Sequence, residues 1–151
     1  MVSAKAAMVD IGDKRDVTRI AKAAGQIRLR RETIDRILEN RVEKGDVLTN
    51  AKLAAISAIK KTPEIILLAH PIPILAANVN FNVDRERSLI WVEVEVKSVA
   101  KTGVEMEALT GVATALLSIF DLCKQYEKDE KGEYPTAEIS GIKVIQKIKE
   151  E

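Results

Sequence analysis

Residues 75–97 read LAANVNFNVDRERSLIWVEVEVK, and their alternation decides the fold. Leu75, Ala77, Val79, Phe81 and Val83 alternate with Asn78, Asn80 and Asn82, while Ile90, Val92, Val94 and Val96 alternate with Glu93, Glu95 and Lys97. A period of two places successive side chains on opposite faces, so each run predicts a strand. The polar Asp84-Arg85-Glu86-Arg87-Ser88 between them is hairpin-loop chemistry.

Upstream the period changes. Residues 31–40 carry Ile34, Ile37 and Leu38 at helical spacing, and Lys44-Gly45-Asp46 then breaks the chain. Asp46 is a good N-cap for a second helix, whose Val47, Leu48, Ala51, Ala54, Ala55, Ala58 and Ile59 recur at three and four until Pro63 stops it. Downstream, Thr102-Gly103-Val104-Glu105 fits a capping box. The long helix it opens runs to about Lys128, with Met106, Leu109, Val112, Ala113, Leu116, Phe120 and Cys123 inward. Further strands are expected at residues 18–29 and 137–148. The order is then β-α-β-β-α-β, an α+β ferredoxin-like sandwich with an extra N-terminal helix and an antiparallel sheet covered by helices. That fold hosts many unrelated functions and names no chemistry.

The chain has 151 residues, expected to form a single domain over 1–151. Apolar residues make up 46% and aromatics only 3%, so the core must be aliphatic. Charged residues reach 31% but nearly cancel at a net +1, which argues against a general nucleic-acid binder. Lys14, Arg15, Arg19, Lys22, Arg28, Arg30 and Arg31 still crowd the first third, as a solvated face or as a collar for an anion. With one cysteine and one histidine, neither an intramolecular disulfide nor a four-ligand Cys/His zinc site can form within one chain. Mg²⁺ held by carboxylates and a substrate phosphate stays open. No apolar signal core or membrane-length apolar run is evident, so the cytoplasm is expected, with no membrane partner.

Several polar residues exceed what a core needs. His70 follows the apolar run 65–68 and precedes Pro71, and reads either as a hydrogen-bonded structural residue or as an acid/base or phosphate-binding imidazole. Lys101 stands beside the expected start of the long helix, a natural anion seat, and capping leaves Glu107 unexplained. Asp121 and Lys124, at i and i+3, form a surface ion pair unless a cleft desolvates them. Glu107 and Asp121 lie fourteen residues apart, roughly 21 Å along a helix, and Lys44 and Lys60 bracket the preceding helix similarly. One pocket of one protomer cannot easily collect all of these, which favours a site shared between copies. Cys123 falls on the apolar face and reads as a small core residue. No Gly-x-Gly-x-x-Gly and no P-loop pattern occurs.

In order, the chain contains MVDI (8–11), KGDVL (44–48), KKT (60–62), His70-Pro71, KTGVEMEALT (101–110) and FDLCK (120–124). This series resembles the MoaC family, the cyclic pyranopterin monophosphate synthases, over roughly residues 8–128. The resemblance implies a ferredoxin-like protomer, a hexamer built as a trimer of dimers, and sites at subunit interfaces. It implies a small-molecule cyclic GTP derivative, 3′,8-cyclo-7,8-dihydro-GTP, as substrate, and a pyranopterin product formed with loss of pyrophosphate. No cofactor is essential to that scheme, though Mg²⁺ can accompany the substrate phosphates. The family's site positions correspond here to Lys44, Lys60, His70, Glu105, Met106, Glu107, Asp121 and Lys124. Asp121, Lys124, Lys60 and His70 are expected to be catalytic; Lys44, His70, Lys101, Glu105, Met106 and Glu107 are expected to bind substrate. The chain departs from the family where Ala69 replaces the usual cysteine, in the apolar changes at Phe120 and Leu122, and in a C-terminus without the common Gly/Ser/Lys-rich ending.

Two other readings compete. A non-catalytic nucleotide-sensing or assembly module of the same fold would need no acid/base cluster. An RNA-binding sheet normally stacks bases on exposed aromatics, and the expected strand over residues 89–100 offers only Trp91.

Overall fold

The computed structural model describes residues 4–151. The elements in chain order are β1 (Val17–Arg28), α1 (Arg31–Leu38), α2 (Val47–Lys60), α3 (Thr62–Ile65), β2 (Ala76–Asp84), β3 (Leu89–Ala100), α4 (Glu105–Glu127) and β4 (Glu138–Glu150). One four-stranded sheet has the order β2-β3-β1-β4, with every neighbouring pair antiparallel. This is the ferredoxin-like arrangement.

The hairpin that set the fold forms as read. Asp84 pairs with Leu89, and the Asp84 carboxylate accepts the Arg87 N–H at 3.0 Å. β1 then pairs along its whole length with β3, Val17 against Ala100 through Arg28 against Leu89. Most side chains of β1 and β3 that point at the helices are aliphatic and sealed, among them Ile27, Ile90, Val92, Val94 and Val96, with Arg19 and Ser98 as buried polar members of the same face. α4 lies across them with Val112, Ala115, Leu116, Ile119 and Cys123 inward. The core is aliphatic, as the shortage of aromatics required.

Two glycines allow close approach. A Cβ on Gly25 would lie 2.9 Å from Val112 Cγ1, where α4 crosses β1, and the β1–β4 register shifts at this same place. A Cβ on Gly111 would lie 2.9 Å from Ile59 Cγ1, where α4 meets the C-terminal end of α2. The N-terminal end of α2 instead meets the far end of α4, because Lys44 reaches Asp121. The two helices therefore run antiparallel.

Some expectations hold and others need correction. The extra helix is α1, which follows β1 where helical spacing over residues 31–40 put it. The helices do cover the antiparallel sheet, as expected, on one face, and Trp91, Lys97 and Val99 are exposed on the other. The capping box at Thr102 does not form: α4 starts at Glu105 with Val104 at its cap and no side-chain cap bond. The Glu105 carboxylate turns to Lys147 on β4 instead, at 2.6 Å. The phase of α4 differs at its start, with Met106 39% exposed and Glu107 2%. α2 does end before Pro63, at Lys60, and the one unforeseen feature there is the short α3 that carries Pro63 in its first turn, while Thr62 Oγ1 donates to the Ala58 and Ile59 carbonyls at 3.0 Å. α4 is also long and apolar enough to cross a membrane, by length and composition alone. Half of that window is buried, as suits a core helix.

Candidate active site

The residues singled out from sequence fall into separate groups. At the C-terminal half of α4, Lys44 Nζ donates to the Asp121 backbone carbonyl at 3.0 Å and lies 3.4 Å from its carboxylate. Lys124 Nζ reaches the other carboxylate oxygen at 3.4 Å. Asp46 fixes the approach by accepting the Thr49 N–H at 3.1 Å, the N-cap foreseen from sequence. Two ammonium groups thus share one carboxylate. The charge and hydrogen bond of Lys44, with help from Lys124, hold the Asp121 carboxyl below its ordinary range. All three side chains are nonetheless about half exposed, so in one protomer this is a solvated ion cluster of small energetic worth.

Lys60 sits at the opposite end of α2, on a cavity of about 230 Å³ whose other walls are Ile56, Ile59 and residues 74–77.

A third group surrounds the start of α4. The His70 ring uses Nε2 against the Val9 carbonyl at 2.7 Å, and Lys101 Nζ donates to the Lys14 carbonyl at 2.9 Å. Glu105 is held by Lys147. Burial alone would push the Glu105 carboxyl up, but the Lys147 hydrogen bond, its own backbone N–H and the Lys147 charge together bring it below its ordinary value. Glu107 shows the reverse: burial, aided by the Glu105 charge, pushes its carboxyl up against the pull of its own N–H. Two residues apart on α4, one carboxyl is therefore shifted down by its lysine partner and the other up by burial. Adjacent groups with opposed shifts are suited to acid/base work.

Lys44, Asp121 and Lys124 come together; His70, Lys101, Glu105 and Glu107 share the opposite end of the fold with Lys60; Met106 is exposed beside them. The two ends lie roughly 21 Å apart along α4.

Some partners were not foreseen. Arg19, 6% exposed, donates to the Ala100 and Lys101 carbonyls at 3.3 and 3.2 Å and pins the bend before α4. Lys22 pairs with Glu95 at 3.3 Å, and Arg28 donates to the Arg87 carbonyl at 2.9 Å. Three members of the basic run are thus anchored within the protomer. Glu127, fully buried, accepts from the Arg30 N–H at 3.0 Å and from the Thr33 hydroxyl. Its signal was in the sequence, because Leu116, Cys123 and Glu127 continue one inward stripe. Cys123 is sealed in the core and burial pushes its thiol up to about 12. Among the described residues no group of three or more His, Cys, Asp or Glu side chains is placed to hold a metal ion.

Fold and site together define a ferredoxin-like protein that carries lysines and carboxylates at both ends of an antiparallel helix pair, a set suited to a highly anionic small molecule. The chain matches the MoaC family over residues 8–149 and belongs to it. It is 50% identical to a Methanosarcina mazei protein named probable cyclic pyranopterin monophosphate synthase, over 96% of this chain and 91% of that one. A Saccharolobus solfataricus protein of the same name is 52% identical, with 99% of each chain covered. A Methanothermobacter thermautotrophicus relative, 51% identical over 94% of this chain and 88% of its own, is named as a probable accessory protein of that synthase.

Proposed function

We propose that this chain is a cyclic pyranopterin monophosphate synthase of molybdenum cofactor biosynthesis. It converts 3′,8-cyclo-7,8-dihydro-GTP to the cyclic pyranopterin monophosphate and releases pyrophosphate. The observation that carries the reading is half identity, along nearly the whole chain, to relatives named for that synthase. The residues fit the task. Lys44, Lys60 and Lys124 supply compact positive charge for a triphosphate. Asp121 and Lys124 form the acid/base pair, and His70 binds phosphate or relays a proton. Glu105 and Glu107 meet the base or brace a lysine, as Glu105 already braces Lys147.

The enzyme works in the cytoplasm as a homo-oligomer, a hexamer arranged as a trimer of dimers, without a nucleic-acid or membrane partner. The separation of the two residue groups supports a site completed by a neighbouring copy. The proposal assigns the chain no resident metal or redox cofactor; any Mg²⁺ arrives with the substrate phosphates.

Incubating the purified protein with the cyclised dihydro-GTP tests the proposal. Pyrophosphate and the pterin product should both appear. Lys60→Ala and Lys124→Ala should each lower turnover at least about 100-fold with unchanged molar mass in solution. Full turnover in either variant removes that lysine from the mechanism. Absence of product from the unmodified protein leaves the assembly-module reading, and a strictly monomeric protein rules out a shared site.

A further inference from the structure

His70 and Lys101 have one thing in common: each is held by a backbone carbonyl from the same stretch before β1. Two local turns shape that stretch. Asp10 Oδ1 accepts the Gly12 N–H at 2.8 Å, and the Ile11 carbonyl accepts the Lys14 N–H at 3.1 Å. The carbonyls of Val9 and Lys14 are thereby presented to the His70 ring and the Lys101 ammonium. Between these two contacts the stretch walls a cavity of about 260 Å³, with Ile11 and Asp16 on one side and residues 71–73 and 99–101 on the others. Arg19 fastens the far wall by binding the Ala100 and Lys101 carbonyls.

We infer that residues 8–16 are a working part of the site: the Val9 carbonyl fixes Nε2 of His70 as its donor nitrogen and leaves Nδ1 as the nitrogen offered to substrate. The inference rests on the proposed role of His70. A carbonyl oxygen only accepts, so a contact of 2.7 Å requires the hydrogen on Nε2. A neutral imidazole carries one N–H, and its lone pair is then confined to Nδ1. Neutral His70 can therefore take a proton from substrate at Nδ1 but cannot donate one there. After taking it, the ring is an imidazolium whose Nδ1–H faces the ligand while Nε2–H stays on Val9. Val9 acts as a positioning residue through its backbone. Lys14 does the same for Lys101, with its carbonyl taking one of three ammonium hydrogens and leaving two for an anion.

The chain has a single histidine, so one imidazole can be read without assignment. Full-length protein labelled with ¹⁵N-histidine is measured at about pH 8.5, some two units above the ordinary histidine value of about 6.5. The expected spectrum is one neutral tautomer, with a protonated Nε2, an unprotonated Nδ1, and an Nε2–H slow enough in exchange to observe and to cross-relax with Val9. Averaged nitrogens with no visible N–H, or a protonated Nδ1, overturn the inference. Deletion of residues 1–10 removes the carbonyl outright, and among the described residues the buried core begins at Val17. It should abolish the Nε2–H signal and lower kcat/KM about tenfold or more, with the unfolding midpoint nearly unchanged. Asp10→Ala, which only loosens the turn, should weaken both in the same direction. Full turnover or an unchanged imidazole spectrum in the deletion overturns the inference. If the unmodified protein turns over no substrate, the proposed function fails, while the tautomer result still decides whether Val9 sets the ring.

Discussion

Replacing Glu127 by Ala is expected to destabilise the protein by about 4 kcal/mol. The carboxylate is fully buried and takes two donors, the Arg30 N–H and the Thr33 hydroxyl, both at the start of α1. A hydrogen bond to a charged group is worth roughly 1.5–3 kcal/mol, and negative charge at a helix N-terminus roughly 0.3–1 more. Two such bonds plus the dipole term give about 4 kcal/mol, a large share of the roughly 5–15 that hold a domain folded. Thr33→Val keeps the shape and removes one donor, for about 1.5–2 kcal/mol on its own. In the Glu127→Ala background the same change should cost less than about 0.5, because the hydroxyl has already lost its acceptor. The coupling is then about 1–1.5 kcal/mol. Urea unfolding at one fixed protomer concentration measures all four corners of the cycle, since dissociation would otherwise mix with unfolding. Costs that add within about 0.3 kcal/mol would refute the idea that Glu127 and Thr33 act through one shared bond.

Three other changes have expected outcomes. Glu107→Gln should stabilise the protein at neutral pH while lowering turnover. Burial raises the folded carboxyl above its ordinary 4.5, so the folded state holds its proton more tightly and stability falls as pH rises through the raised value. The variant's advantage should therefore vanish below about pH 4.5 in a pH series of urea midpoints, and an advantage independent of pH would contradict this. Cys123 should resist iodoacetamide at pH 8 in native buffer and react fully in urea, because its sealed thiol titrates only at about 12. Gly25→Ala should cost about 1–3 kcal/mol in thermal or urea unfolding, since its Cβ would crowd Val112, Ile142 and Leu116 at 2.9–3.0 Å.

What could be read from the sequence was set by local periodicity. β2 and β3 were visible because their alternation is uninterrupted, and α2 because Asp46 and its apolar spacing agree. The start of α4 misled for a long-range reason: Glu105 completes a capping pattern locally, yet its partner is Lys147, across the chain on β4. Placing Met106 inward followed its hydrophobicity, whereas the geometry of the helix on the sheet turns Glu107 inward. Among site residues, Asp121 and Lys124 stood out as an i, i+3 pair and Lys44 as a lysine before α2, their site roles came from the family resemblance, and the contact of Lys44 with Asp121 on α4 had no local signal. The Val9 and Lys14 contacts were beyond reach, because a backbone carbonyl has no residue code.

The separation of the two residue groups also constrains where the chemistry can occur. In one protomer, Asp121 is 58% exposed and its lysine partners 46% and 44%, so water screens the cluster and the pair keeps little more than surface-bridge strength. Glu107, at the other end of α4, is already sealed and already shifted. Among the described residues Glu107 pairs with no cation, although Lys60, Lys101 and Lys147 stand at the same end of the fold, whereas the Lys44–Asp121–Lys124 cluster holds its cations without desolvation. A highly charged substrate needs both at once. Antiparallel packing of α2 on α4 keeps them apart within a chain however the side chains move, because the helices are fixed by Gly111 against Ile59 at one end and Lys44 against Asp121 at the other. A second copy that lays its Lys44–Asp121–Lys124 cluster over the first copy's Glu107 end would bring cations to the buried carboxyl, and would desolvate the Asp121–Lys124 pair in the same step.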